Sequence, residues 1–229
     1  MPLQNRVTPA GDIVAIAARG TMMGNRGGCL HRPDKTLGRR RWVTKQWICC
    51  ELQFRGRHRA VMAPNQYTEL FFLDEATALA AGHRPCFECR RADALAFARL
   101  WAQSEGRTGR ASAAEMDSVL HAERLNAGGA KRVFQSRLAD LPSGCIVRLG
   151  DRPYLVTGGE LRPWTPEGYL APQRAEPETV ADVLTPKTVV ELLRLGLQPR
   201  LHRSALEPER TDPAPRILAV DARPSRPSR

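Results

Sequence analysis

The chain has 229 residues, with 35 Lys and Arg against 24 Asp and Glu, a formal charge of +11 and a pI near 10. At about 100–200 residues per domain this allows one or two domains. Apolar residues make up 42% of the chain, enough for a core, which excludes a wholly disordered protein. No run of about 18 apolar residues occurs, which excludes a membrane-spanning helix. The excess charge is uneven: residues 1–60 hold 12 basic against 3 acidic residues, and the remaining 169 hold 23 against 21. Arginine dominates, 31 to four Lys. Guanidinium forks grip phosphate bidentately, although a GC-rich genome produces the same bias.

In chain order, residues 12–18 read as a strand, 20–28 as Gly-rich turn material and 29–31 as a short strand. Residues 32–41 form a basic loop ending in Arg39-Arg40-Arg41. Alternation predicts a strand over 46–55, with Ile48, Cys50, Leu52 and Phe54 on one face and Trp47, Cys49, Glu51, Gln53 and Arg55 on the other. Gly56 turns the chain, and 57–62 is the hairpin partner. Residues 68–73 are a strand, and Asp74 caps a short helix over 75–81 that Gly82 ends. Pro85, as a first-turn proline, opens a helix over 85–104. Ser112 caps a third helix over 113–126, with Glu115 completing a capping box. Short strands follow at 145–149, 152–157, 160–164 and 180–184, the first three joined by tight Gly turns. Thr185 caps a helix over 187–195, and 204–229, rich in Pro, Arg and acids, is expected to be a disordered tail.

The N-terminus lacks a basic start followed by an apolar block, so no secretory leader and a cytoplasmic location are expected. Clustered cysteines in a reducing compartment read as metal or catalytic sites. Cys86-Phe87-Glu88-Cys89 places two thiols three residues apart at a helix start, where backbone N–H groups favour thiolates. Zinc with sulfur ligands takes four donors in a tetrahedron. Cys50, on the apolar strand face, supplies a third. The fourth is His31, Cys49 or Cys29. The bland reading is a pair of buried cysteines without metal. Cys145 reads as a core residue.

The segment from Phe72 to Arg90 carries an aromatic strand end, an Ala-rich helix closing on Gly82, then Arg84-Pro85-Cys86-Phe87-Glu88-Cys89. It resembles the Ada-type metal-binding domain, a zinc module known from DNA repair. Gly24-Asn25-Arg26-Gly27 with His31 resembles the upstream hairpin of some members. The resemblance covers residues 21–92 and is most specific over 70–90. It implies a zinc-organised fold, with Cys86 and Cys89 as ligands and further donors from the upstream hairpin. His83 stands where the family has an aromatic. Adjacent Cys49-Cys50 departs from the four-residue spacing of the repair members, which puts methyl transfer to a thiolate in doubt.

His121-Ala122-Glu123 with Cys86 and Cys89 contains the pieces of a zinc deaminase signature, but in the wrong order and within a helix rather than opening one. Asp117, His121 and Arg124 read instead as a solvated face, with Met116, Val119 and Leu120 as the apolar stripe. Arg39 to Trp47 interleaves bases with aromatics, as nucleic-acid surfaces do; the bland reading is a solvated loop with inward tryptophans. Arg55, Arg57 and Arg59 alternate and would share a strand face.

The sequence therefore predicts an α+β protein. A zinc-organised unit spans 1–104, a helical linker 105–139 and a small β-rich unit 140–203, before the tail. The zinc ligands are Cys50, Cys86 and Cys89 with His31. Arg39, Arg40, Arg41, Lys45, Arg55, Arg57 and Arg59 contact nucleic acid, DNA first, and no membrane partner is expected. The competing expectation is an enzyme: either Cys49 or Cys50 accepts an alkyl group, or a zinc-bound water is activated by Glu123 or Glu88.

Overall fold

A computed structural model describes residues 1–57 and 60–206. His58, Arg59 and residues 207–229 lie outside the described residues, so the expectations for Arg59 and for most of the tail do too. The architecture is α+β, as the sequence predicts. In chain order it runs β1 (Gln4–Val7), β2 (Ile13–Ala15), β3 (Met22–Asn25), β4 (Ile48–Cys50), β5 (Leu70–Phe72), α1 (Glu75–Ala80), β6 (Arg84–Pro85), α2 (Arg91–Ser104) and α3 (Ala113–Arg124). Then come β7 (Phe134–Arg137), β8 (Ile146–Leu149), β9 (Arg152–Thr157), β10 (Glu160–Thr165), β11 (Gly168–Tyr169), β12 (Gln173–Arg174), β13 (Val180–Val183) and α4 (Lys187–Arg194).

The first six strands form one sheet in the order β2-β1-β5-β3-β4-β6. The later strands form a second, β11-β10-β9-β8-β13-β7, with β12 beside β10. Its centre is the expected meander, β8 to β10. Strand β1 has no apolar alternation to announce it, because its inward positions are Asn5 and Val7.

The strands of the first sheet keep an apolar cluster of their own around Val7, Met22, Leu70 and Phe72, while the helices pack into the core of the second sheet. Phe97, Ala98 and Trp101 of α2 and Met116 and Leu120 of α3 are buried with Val147, Val156, Val183 and Val190. Ala76 and Ala80 of α1 pack with Ile146, Leu155 and Tyr169. The segments expected at 1–104, 105–139 and 140–203 thus meet across common apolar clusters.

Several local expectations match. Asp74 caps α1 through Thr77 N–H at 2.9 Å, and Ser112 and Glu115 form the capping box of α3. Gly82 follows α1 with φ +87°, and a Cβ there would lie 2.5 Å from Arg124 Cδ, so both backbone and packing demand glycine.

Others are corrected. The strand expected over 46–55 is only β4; residues 51–57 run through bends and turns, with Arg55 at φ +51°. Arg55 and Arg57 therefore share no strand face, and no hairpin partner forms among the described residues of 57–62. Pro85 does not open a helix. It pairs with Cys49 in a parallel bridge, and α2 begins only at Arg91. Thr185 does not cap α4: its hydroxyl accepts from Ile146 N–H at 2.9 Å. The cap comes from Glu123, whose carboxylate accepts from Thr188 N–H at 3.0 Å and Thr188 Oγ1 at 2.8 Å.

The face of α3 expected to be solvated also turns inward. Asp117 and Arg124 are 7% and 1% exposed. Arg84 Nε and Nη2 donate to the two Asp117 carboxylate oxygens at 2.8 Å each. Removing one partner of a buried pair strands the other charge, which costs about 3–5 kcal/mol, whereas replacing both with apolar groups costs little or nothing. Asp117→Ala is expected to lower the urea midpoint accordingly, and Arg84→Met/Asp117→Leu to recover most of the loss at an unchanged m-value.

Candidate metal centre

Strand β4 ends at Cys50, and β6 runs parallel beside it. Cys86 N–H donates to Cys49 O at 3.0 Å, so the chain enters its next turn directly against β4. Residues 87–90 are that turn, closed by Arg90 N–H on Cys86 O at 3.0 Å. The result brings three sulfurs from two distant segments together: the Sγ atoms of Cys50, Cys86 and Cys89 all lie within 4.8 Å of one another. A tetrahedral ion with sulfurs at about 2.3 Å sets them about 3.8 Å apart. Cys50 and Cys86 are buried and Cys89 is half-buried.

Backbone donors already point at these sulfurs. Glu88 N–H lies 3.4 Å from Cys86 Sγ, and Glu51 N–H lies 3.4 Å from Cys89 Sγ. Hydrogen bonds from the Cys50 and Cys89 thiols, then the backbone N–H groups of Cys89 and Glu88, hold the Cys86 thiol well below its usual range. The same contact to Cys86 pushes Cys50 up. These N–H donors favour a thiolate within the cluster of three sulfurs. This donor set fits a soft divalent metal.

The other upstream candidates are elsewhere. Cys49 is fully buried in the apolar cluster of the first sheet, 3.6 Å from Arg90 Nη1, and burial pushes its thiol up. The structure does not bring His31 to the sulfurs. Its Nδ1 lies 2.7 Å from Thr68 Oγ1 and its Nε2 3.2 Å from Ala63 O. Cys29 sits beside His31, its Sγ 3.7 Å from Nδ1. Neither acid considered as a general base faces the cluster: Glu123 caps α4, and Glu88 is exposed and paired with Arg57 at 2.8 Å.

An ionic clamp holds the Cys86–Cys89 turn to the rest of the fold. Arg90, 3% exposed, pairs at 2.8 Å with both Glu75 of α1 and Asp93 of α2. Arg200 then bridges Asp93 and Glu51 at 2.7 Å each. No local pattern in the sequence announces this network, because Glu51, Glu75, Asp93 and Arg200 lie far apart in the chain.

The basic residues divide into two sets. Arg39, Arg40, Arg41, Lys45, Arg55 and Arg57 are all exposed. Arg41 Nη1 folds back on Gly38 O at 2.6 Å, Arg55 lies 5.0 Å from the Phe54 ring centroid, and Arg57 is neutralised by Glu88. Arg39 and Arg40 make no ion pair among the described residues. The second set turns inward: Arg26 and Arg124 are buried and Lys131 is half-buried. Arg26 and Arg124 stack on the Trp47 ring, 3.9 and 3.8 Å from its centroid. Trp47, 2% exposed, is therefore closed to a nucleobase. The guanidiniums donate to Gly11 O, Gly82 O and Lys45 O at 2.8, 2.8 and 2.6 Å. The Lys131 ammonium turns inward onto Ala80 O.

Searches against protein-family models, curated proteins and solved structures return no match, so the site is defined by its own geometry.

Burial, then Arg26 and Arg124, push Lys131 down to about 7. A base whose folded value lies below its unfolded value costs stability while charged, and the cost is relieved as pH rises from about 7 towards 10.5. Lys131→Met is therefore expected to raise the melting temperature most at pH 6 and progressively less towards pH 9. An equal gain at both values would show that Lys131 stays charged in the fold across this range.

Proposed function

We propose that Cys50, Cys86 and Cys89 hold a zinc ion whose role is structural, and that the basic N-terminal region contacts a nucleic-acid backbone. The observation that carries the first part is the convergence of three sulfurs, two from one turn and one from the end of β4, within 4.8 Å. A zinc ion there would cross-link β4 to the turn that leads into α2. Structural zinc contributes on the order of 10 kcal/mol to the folding of small modules. The burial of Cys49 and Cys50 speaks for this role and against either as an alkyl acceptor, since a reactive thiolate needs access. The Arg-Pro-Cys-x-x-Cys turn after a short Ala-rich helix supports the resemblance to the Ada-type domain, and zinc over other soft metals follows from it.

For the second part, the support is the unpaired, exposed pair Arg39 and Arg40 beside Arg41 and Lys45, in a region carrying nearly all of the net charge. Such a face binds phosphate with steep salt dependence.

Purified protein is expected to carry about one zinc per chain. Cobalt substitution should give thiolate-to-cobalt absorption with an intensity set by three sulfurs. Cys86→Ser should yield protein that is insoluble, or metal-free and unfolded, and Cys29→Ser should load normally. A soluble, folded, zinc-free Cys86→Ser protein would remove the structural role.

In gel shifts, Arg39→Ala/Arg40→Ala/Arg41→Ala should weaken duplex binding and lower the log–log salt slope by about 0.9 for each phosphate no longer neutralised. Unchanged affinity and slope would dismiss the backbone reading.

A further inference from the structure

A groove of about 560 Å³ is lined by Trp42, His121, Arg132 and the turn that follows α3. This is within the range of about 300–1,000 Å³ typical of small-molecule clefts. Trp42 is half-buried, unlike Trp47 behind it at 6.1 Å. Its ring meets the His121 ring edge-on at 5.8 Å. Gly129, at φ +78°, packs against the edge of the indole, where a Cβ would lie 3.3 Å from Cη2 and 3.8 Å from Cζ3. Asn126 shapes the turn by accepting from Ala130 N–H at 3.0 Å. Arg132 lines the groove, anchored by Nη1 on Ala122 O at 2.8 Å with its side chain exposed.

Three features of the surroundings select a ligand. No carboxylate lines the groove among the described residues. Behind it lie Arg26, Arg124 and Lys131, none of which has a carboxylate within ion-pair distance among the described residues; Asp117, which acts on Arg124, is paired with Arg84, and Asp12 acts on Arg26 without an ion pair. And Arg124 Nη2 lies 3.1 Å from His121 Nδ1, which couples the groove wall to those buried cations, while Arg124 Nε is buried without a partner. The low-dielectric interior leaves this positive field poorly screened.

An aromatic platform beside an arginine, backed by uncompensated positive charge and free of acids, matches a flat ring attached to an anion. We infer that the groove seats one unpaired nucleotide of a nucleic-acid strand, with its base on the Trp42 indole and its phosphate drawn to Arg132. The base must be unpaired, because a paired base in a duplex offers no free face to an indole. This assignment rests on the nucleic-acid reading above and gives it a preference that backbone contact alone lacks. Stacking is tolerant of base identity, so the groove selects single strands rather than sequences.

The test compares anisotropy of a labelled oligo-dT strand with the same strand annealed to oligo-dA, at one fixed salt concentration. Wild type should bind the single strand more tightly than the duplex. Trp42→Ala should weaken single-strand binding about 5- to 150-fold, the effect of removing one stacked base, and leave duplex binding unchanged. Trp42→Phe should restore most of the affinity. Arg132→Ala, at an exposed position that leaves the fold intact, should weaken single-strand binding several-fold. Equal single-strand and duplex binding, insensitive to both Ala substitutions, overturns the groove assignment and leaves the backbone reading standing. No binding of either form overturns both. Saturable dTMP quenching of tryptophan fluorescence, abolished in Trp42→Ala, without strand binding would assign the groove to free nucleotides and overturn the strand assignment.

Discussion

The parallel pairing of β6 with β4 is the constraint on which the candidate metal centre depends. It spans only Ile48 with Arg84 and Cys49 with Pro85. Yet it decides which of two adjacent cysteines meets the Cys86–Cys89 turn, because neighbouring side chains on a strand face opposite ways. In the observed register Cys50 faces the turn, and Cys49 joins Leu70 and Phe72 in the apolar cluster. A slip of one residue would exchange them, turning Cys49 toward the turn and Cys50 into the apolar cluster. The register is held from both sides: Arg84 N–H donates to Trp47 O at 3.1 Å, and Arg90 ties the turn to α1 and α2.

The same stretch explains why so much positive charge is tolerated inside. Trp47 lies between Arg26 and Arg124, so each guanidinium rests on an aromatic face while its N–H groups reach backbone carbonyls. Carbonyl dipoles and the ring's negative face replace part of the lost hydration. They do not cancel the charge, and burial still pushes both arginines down to about 9. The interior thus holds a positive potential next to a half-open groove, while the formal charges on the surface loops are separate from it.

Much of this was legible locally and little of it at long range. The capping of α1 by Asp74, the capping box of α3 and the Gly-turned meander follow from residues within a few positions of one another, and they match. The Cys86–Cys89 pair was also legible, because thiols at metal-ligand spacing have few other uses; Cys50 was expected on the apolar strand face, but that face belongs to Trp47 and Cys49, and Leu52 is exposed. What failed was any inference that needed a distant partner. Asp117 and Arg124 look like solvent residues by helical spacing, and only Arg84, 33 positions from Asp117, turns the first inward. Pro85 looks like a helix start, and only the neighbouring β4 makes it a strand residue. His31 looks like a ligand by residue type, and Thr68 engages it instead. Glu123 looks available for chemistry, and the N-terminus of α4 uses it.

Asp74 has a consequence for how the chain matures during synthesis. Besides its cap on α1 it accepts from Tyr169 Oη at 3.1 Å and His202 N–H at 3.0 Å, separations of 95 and 128 residues. Its neighbour Glu75 accepts from Arg200 N–H at 2.9 Å, across 125 residues. These bonds satisfy a carboxylate that is fully enclosed, and unsatisfied it would be costly to bury. The helix that leads into the Cys86–Cys89 turn therefore reaches its final hydrogen bonding only after residue 202 has left the ribosome. Until then the helix lacks these partners, and contacts of such long sequence separation form slowly.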